Sequence, residues 1–157
     1  MKANNRFRTT CSSFDYEPDI RQFPEGTKTA LDAAAAVGCT VAQIVKSLVF
    51  IADDHAVLLL VSGKNRVDED KIKQLLNVSK VSIAEPETVR AQTGFAIGGT
   101  PPFGHVQQIP TLMDEDLRNF DEVWAAAGTP NSCFPISPDE LLEITGATLA
   151  EVKREKK

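Results

Sequence analysis

The sequence predicts an α+β domain with a mixed, largely antiparallel sheet flanked by short helices. Three observations predict it. Short runs rich in Val, Ile and Leu are interspersed with short amphipathic runs along the whole chain. Several apolar runs are separated by tight turns, as hairpins are. The chain has 157 residues, enough to bury a core without disulfides or metal. Residues 1–157 are therefore expected to form one domain. Within it, residues 1–15 are weakly patterned and 153–157 form a charged, fraying tail.

The elements follow from local chemistry. Phe7, Cys11 and Phe14 fall at helical spacing in an otherwise polar opening. Ile20 to Phe23 reads as a short strand, followed by the turn Pro24-Glu25-Gly26. Thr29 is placed to cap a helix through the alanine run, and Gly38 to end it. Thr40 to Ile44 reads as one helical turn. Lys46 to Ala52 and Ala56 to Ser62 read as a hairpin turning at Asp53-Asp54-His55. Asp68 to Leu76 is amphipathic, with Ile72, Leu75 and Leu76 expected on one buried face. Val81 to Ile83 is a short strand, and Pro86 opens a helix to Thr93. Phe95 to Ile97 and Gln107 to Ile109 are expected as strand on either side of a turn, with Thr111 to Met113 as another. Asp114 to Leu117 is a helical turn. Glu122 to Ala126 and Cys133 to Ile136 are strands around the turn Gly128 to Ser132. Ser137, Pro138 and Glu140 open a last helix that ends near Gly146.

Composition narrows the function. A net charge of −5 argues against a protein that coats nucleic acid by bulk charge. The three cysteines, Cys11, Cys39 and Cys133, are far apart and lack CxxC spacing. Reduced thiols and a cytoplasmic location are the expectation, with no disulfide framework and no zinc site. No apolar run approaches membrane-spanning length and no secretory signal is visible, so no membrane partner is expected. Phosphate-loop, dinucleotide, zinc-protease and nucleophile-elbow motifs are absent, so no cofactor and no metal are expected.

The run Gly98-Gly99-Thr100-Pro101-Pro102-Phe103-Gly104-His105 carries the most information. Glycine opens backbone angles closed to other residues and lets a ligand approach the main chain. Proline fixes φ and donates no hydrogen bond. Such a loop can hold bare N–H groups toward a ligand oxygen, or it can be a plain turn. Lys46 stands within an apolar strand. Its amine must reach water or an anion, because a buried unpaired ammonium is costly. His105 can bond a phosphate or ribose, move a proton, or bond the backbone. Gly128-Thr129-Pro130-Asn131 can line the same pocket or serve as hairpin chemistry alone. Lys64, Arg66, Lys71, Lys73 and Lys80 are either a small phosphate footprint or a solvated face.

The segments 23–50, 95–105 and 125–147, in this order and spacing, resemble the YbaK/ProX-type aminoacyl-tRNA deacylases. This is the editing domain found free-standing or associated with prolyl-tRNA synthetase. The resemblance runs from Phe23 to Val152. It implies the curved-sheet fold of that family and hydrolysis of the ester joining a small wrong amino acid, such as alanine or cysteine, to tRNA. Mischarged proline tRNA is the implied substrate and prolyl-tRNA synthetase an implied partner. No DNA is expected. By this resemblance Lys46 matches the family's essential lysine and would grip the terminal adenosine region. Gly98, Gly99 and Thr100 would supply main-chain donors to the aminoacyl carbonyl. Pro101, Pro102, Phe103, Gly104, His105, Gly128 and Thr129 would shape the substrate site. The polar stretch Asn4 to Asp15 departs from the family's amphipathic opening helix, which is expected to be weak or shifted here. A non-catalytic tRNA- or nucleotide-binding module is the alternative. A plain structural domain would leave Lys46 and the glycine-proline loop without a purpose.

Overall fold

The structure, a computed structural model, describes residues 3–27 and 29–155. Its helices are α1 (Ala3–Ser12), α2 (Ala30–Val37), α3 (Glu69–Leu76), α4 (Pro86–Thr93) and α5 (Pro138–Thr145). Its strands are β1 (Arg21–Gln22), β2 (Ile44–Ala52), β3 (His55–Ser62), β4 (Val81–Ile83), β5 (Thr111–Asp114), β6 (Val123–Ala126), β7 (Ser132–Ile136) and β8 (Thr148–Ala150). One sheet runs β1-β7-β6-β2-β3-β5-β8, with β4 also paired to β2. Four pairings are antiparallel and three, β2–β6, β3–β5 and β5–β8, are parallel. The expected α+β class with a mixed, largely antiparallel sheet is therefore the observed one.

Period-two alternation divides the core between the two faces of this sheet. Val45, Val49, Leu58, Leu60 and Met113 join Phe7, Val89, Phe134 and Leu141 on one face. Phe50, Val57, Leu59, Val61 and Leu112 join Ile72 of α3 and Val152 on the other. The β2–β3 hairpin turns through Asp53 (φ 44°) and Asp54 (φ 72°), the pair of left-handed residues that matches strand twist. His55, expected in the turn, already pairs with Ala52.

α1 forms in spite of its polar composition. Phe7 and Cys11, four residues apart, are fully buried. Phe7 meets Phe103 at 5.3 Å and Phe134 at 5.0 Å between ring centroids. Burying one such side chain is worth roughly 1.5–3 kcal/mol, more than the propensity lost to Thr and Ser. Phe14 lies beyond the helix and is 44% exposed. The helix forms over Ala3–Ser12 because tertiary packing selects it.

Three further expectations are corrected. Phe95 to Ile97 and Gln107 to Ile109 are not strands; residues 94–110 form one continuous irregular segment. Gly94, Gly98 and Gly104 have φ of 84°, 89° and 85°, outside strand geometry, and the prolines give no ladder donors. Phe95 and Ile109 are buried by packing instead. Leu75 is 49% exposed; only Ile72 of α3 is fully buried, with Leu76 packed partly against the same core. The chain beyond Thr145 forms β8 against β5, and Val152 is fully buried. Within the expected tail, Lys153 bridges Val67, Arg154 N–H donates to Arg66 C=O at 2.7 Å, and Lys71 pairs with Glu155 at 3.1 Å.

Candidate active site at a gap in the sheet

The site begins with an interruption in strand pairing. β2 pairs with β3 along its length. On its other edge, β6 takes only Ile44 and Val45, and β4 takes Phe50 to Ala52. Ala84 N–H donates to Val49 C=O at 2.9 Å, extending the β4 side by one bond. Gly63 N–H donates to Ile44 C=O at 2.7 Å, which sets the parity: even-numbered residues of β2 bond toward β3. Ser47, an odd residue, therefore directs its main-chain N–H and C=O into the gap. Its hydroxyl is buried and has no hydrogen-bond partner, alone in this among the described residues.

A cavity of about 310 Å³ occupies this gap. Its walls are residues 44–49 of β2, the start of α2 at Thr27, Thr29, Ala30 and Ala33, and Ile83, Ala84 and Val89. Ile97, Gly98, Thr100 and Ala126 complete it. Thr29 caps α2 by accepting from Asp32 N–H at 3.1 Å, which fixes the helix start against the cavity. The volume lies at the small end of ligand pockets, roughly 300–1,000 Å³.

The glycine-proline loop reaches the cavity with part of its length. Gly99 N–H is spent inside the turn, donating to Ala96 C=O at 3.0 Å, and Thr100 Oγ1 donates to the same carbonyl at 3.0 Å. The N–H groups of Gly98 and Thr100 have no partner among the described residues, and both residues line the cavity. Gly99 instead lies on the Gly128–Asn131 turn: a Cβ there would stand 2.7 Å from Thr129 C and 2.8 Å from Thr129 Cα. The two turns singled out in the sequence thus meet. Gly128 and Thr129 support the loop from behind and are not among the lining residues.

The rest of the loop is anchored. Phe103 is 5% exposed and sits among Phe7, Phe14, Tyr16 and Phe134. Pro101 and Pro102 are buried, and Gly104 packs on Phe7 and Thr10 of α1. His105 Nε2 lies 2.7 Å from Pro101 C=O. A carbonyl only accepts, so Nε2 carries the proton. Burial holds the ring below the usual histidine range, which keeps it neutral at pH 7. His105, Pro101, Pro102, Phe103 and Gly104 do not line the cavity; they fix the loop that does.

Lys46 is half-buried and lines the cavity. Its Nζ donates to Asn65 C=O at 2.5 Å. Burial pushes its pKa below the ordinary 10.5; Arg66 adds to this, and Asp114 opposes it. Asn65, 8% exposed, donates from Nδ2 to Asp114 Oδ2 at 2.8 Å and to Asp116 Oδ2 at 2.9 Å. Asp114 is 1% exposed and also accepts from Ser62 N–H at 3.0 Å. Asp116 pairs with Lys153 at 3.0 Å. Sequence reading missed Ser47, Asn65, Asp114 and Asp116. Two of the expected cations are engaged elsewhere, Lys71 with Glu151 and Glu155, and Lys73 with Asp70. Among the described residues no group of His, Cys, Asp and Glu could hold a metal ion, and no helix is long and apolar enough to cross a membrane.

The arrangement offers two free main-chain donors, one ammonium and an open strand edge around a small, mostly apolar space. Such a set can hold a carbonyl and stabilise charge on its oxygen. Among the described residues no cysteine lines the cavity, and the Ser47 hydroxyl has no base within hydrogen-bond distance. Comparison with known proteins places the chain in a family. YwhH of Bacillus subtilis (strain 168), an uncharacterized protein, is 32% identical over 139 residues, covering 88% of each chain. EbsC of Enterococcus faecalis (strain ATCC 700802 / V583), named as a candidate Cys-tRNA(Pro)/Cys-tRNA(Cys) deacylase, is 25% identical over 79% of this chain and 76% of its own. A crystal structure described as a candidate trans-editing enzyme for prolyl tRNA synthetase is 45% identical, covers 99% of both chains and superposes with a TM-score of 0.93. The family model for the aminoacyl-tRNA editing domain matches residues 24–144, and the chain belongs to that family.

Proposed function

We propose that this protein is a trans-editing hydrolase that cleaves the ester between a small wrong amino acid and tRNA, with mischarged proline tRNA as substrate. One observation carries the reading. Lys46 and two residues whose N–H groups have no partner among the described residues, Gly98 and Thr100, line a single cavity of about 310 Å³ whose walls include Ala30, Ala33, Ala84 and Ala126. A side chain of alanine or cysteine size suits such walls. Discrimination against small apolar side chains is weak in a synthetase site, and a second site that admits only small ones is the remedy.

In this reading the aminoacyl carbonyl oxygen accepts from Gly98 and Thr100. Water adds to the carbonyl carbon, and the charge that builds on the oxygen is stabilised by donors already in place. Collapse breaks the bond to the ribose oxygen, which takes up the proton that water releases. The products are a free amino acid and a tRNA with its terminal hydroxyl restored. Lys46 holds the terminal adenosine through its phosphate or ribose oxygens. An aminoacyl ester is already activated, so orientation and electrostatics suffice without a covalent intermediate.

The test is deacylation of proline tRNA charged with alanine, cysteine, serine or proline, with wild type beside Lys46→Ala. The expected result is preferential hydrolysis of one small ester, with kcat/KM reduced roughly 10²–10³-fold in a folded Lys46→Ala protein, the scale of removing one partner of a buried, hydrogen-bonded charge contact. A folded wild type that binds charged tRNA and hydrolyses none would assign the chain to the non-catalytic binding class.

A further inference from the structure

We propose that Asn65 is a positioning residue for Lys46, and that through it the side chains of Asp114 and Asp116 determine where the ammonium stands. The inference rests on the functional reading above for its consequence, but the geometry stands by itself. The chain leaves β3 at Ser62, turns, and presents Asn65 C=O to Lys46 Nζ at 2.5 Å. Asn65 N–H donates to Ser62 C=O at 2.9 Å, which closes that turn. A main-chain carbonyl at the end of a turn holds a fixed position only if its residue is fixed. Here the side-chain amide does this, spanning two carboxylates at 2.8 and 2.9 Å. Both amide hydrogens are used, so the residue is pinned at its carbonyl, its N–H and its side chain.

The arrangement also explains why Lys46 does not pair directly with Asp114, the one carboxylate whose charge acts on it. Asn65 instead engages Asp114 Oδ2 through one hydrogen bond and offers the ammonium its own carbonyl. A neutral acceptor binds an ammonium less tightly than a carboxylate does, and leaves its charge available to a ligand. The groups facing Lys46 are thus Asp114 on β5 and Arg66 beside Asn65, with Asp116 and its partner Lys153 behind the amide. Without the amide, Asp114 and Asp116 lose a shared donor and draw the ammonium out of the cavity.

The experiment compares wild type, Asn65→Ala and Asp116→Ala, each also made in a Lys46→Met background, with folding checked by thermal melting. Carbon-13 lysine NMR follows the titration of Lys46, and kcat/KM is measured on the ester that wild type cleaves. In Asn65→Ala the Lys46 titration is expected to move to higher pH and kcat/KM to fall roughly 10- to 100-fold, the range a displacement of about 1 Å costs. Asp116→Ala, at the solvent rim, is expected to fall roughly two- to fivefold, and it keeps the test open if Asn65→Ala does not fold. In the Lys46→Met background both substitutions are expected to change activity less than twofold, because residues acting through one group are not additive. Additive losses, or a Lys46 titration and rate unchanged in a folded Asn65→Ala, overturn the proposal. The NMR arm needs no substrate. A shifted titration in a protein inactive on every ester would count against the deacylase reading alone.

Discussion

The two sides of β2 are built on opposite terms. Toward β3 and β5, Lys46, Asn65, Asp114, Asp116 and Lys153 satisfy one another through hydrogen bonds between 2.5 and 3.0 Å. Toward β4 and β6, the Ser47 hydroxyl and the N–H groups of Gly98 and Thr100 have no partner among the described residues. A buried polar group without a partner costs about 1–3 kcal/mol. A fold tolerates that cost where a ligand will supply the missing bonds. In the proposed reading the satisfied side places one charge, and the unsatisfied side is where a substrate completes the structure.

Lys46→Ala, which removes the placed charge, is the largest expected loss. Next comes Gly99→Ala. This residue contributes no free donor to the cavity, yet its added Cβ would stand 2.7–3.0 Å from the main chain of Thr129. Main chain cannot swing aside as a flexible side chain can, so the loop must lift and carry Gly98 and Thr100 with it. The expected outcome is a roughly 10- to 100-fold drop in kcat/KM. Stability should fall by about 1–3 kcal/mol, the usual cost of overpacking. A Gly99→Ala protein with wild-type rates would break the link between the two turns and the donors.

These residues also show what a sequence exposes and what it hides. The loop from Gly98 to His105 was legible because glycine and proline announce irregular backbone. Lys46 was legible because a lysine in an apolar strand demands a reason. The caps at Thr29 and Ser137 form as read, since capping depends on neighbours within three residues. The gap in the sheet was not legible. It depends on β6 ending its pairing at Val45 and β4 beginning at Phe50, and strand partners are set by tertiary packing. Asn65 lay between Lys64 and Arg66 in what read as a charged stretch, and nothing local marks it as buried. The resemblance puts Phe103, His105 and Thr129 in the substrate site, yet none of them lines the cavity. The structure places them in the loop's supports, because only a loop with a fixed back can hold N–H groups at its front.

A smaller effect reads the satisfied side through pH. Lys46 titrates below 10.5 because burial disfavours its charge. If the ammonium is the active form, kcat/KM falls as pH rises through the folded-state pKa, so its alkaline limb lies below the ordinary lysine range. Rates corrected for spontaneous ester hydrolysis should show that limb, and Lys46→Arg, charged at every pH tested, should lack it. Stability has the opposite slope. Between the folded-state value and 10.5 the unfolded chain binds the extra proton, so stability rises with pH across that window. A limb at or above 10.5 would mean that the ammonium is more hydrated, or closer to Asp114, than this geometry allows.

The smallest expected effect on the fold is the most diagnostic of the unsatisfied side. Ser47→Ala removes the buried hydroxyl that lacks a partner, together with the cost of leaving it so. Stability should hold or rise by up to about 1 kcal/mol, since an apolar group of nearly the same shape replaces an unpaired polar one. If the hydroxyl awaits a bond from the substrate, kcat/KM should fall at the same time, by roughly 5- to 10-fold for one neutral hydrogen bond of about 1–1.5 kcal/mol. The two measurements must move in opposite directions. A fall in melting temperature with unchanged activity would show that Ser47 belongs to the core. The open edge of β2 would then act on the substrate through its main chain alone.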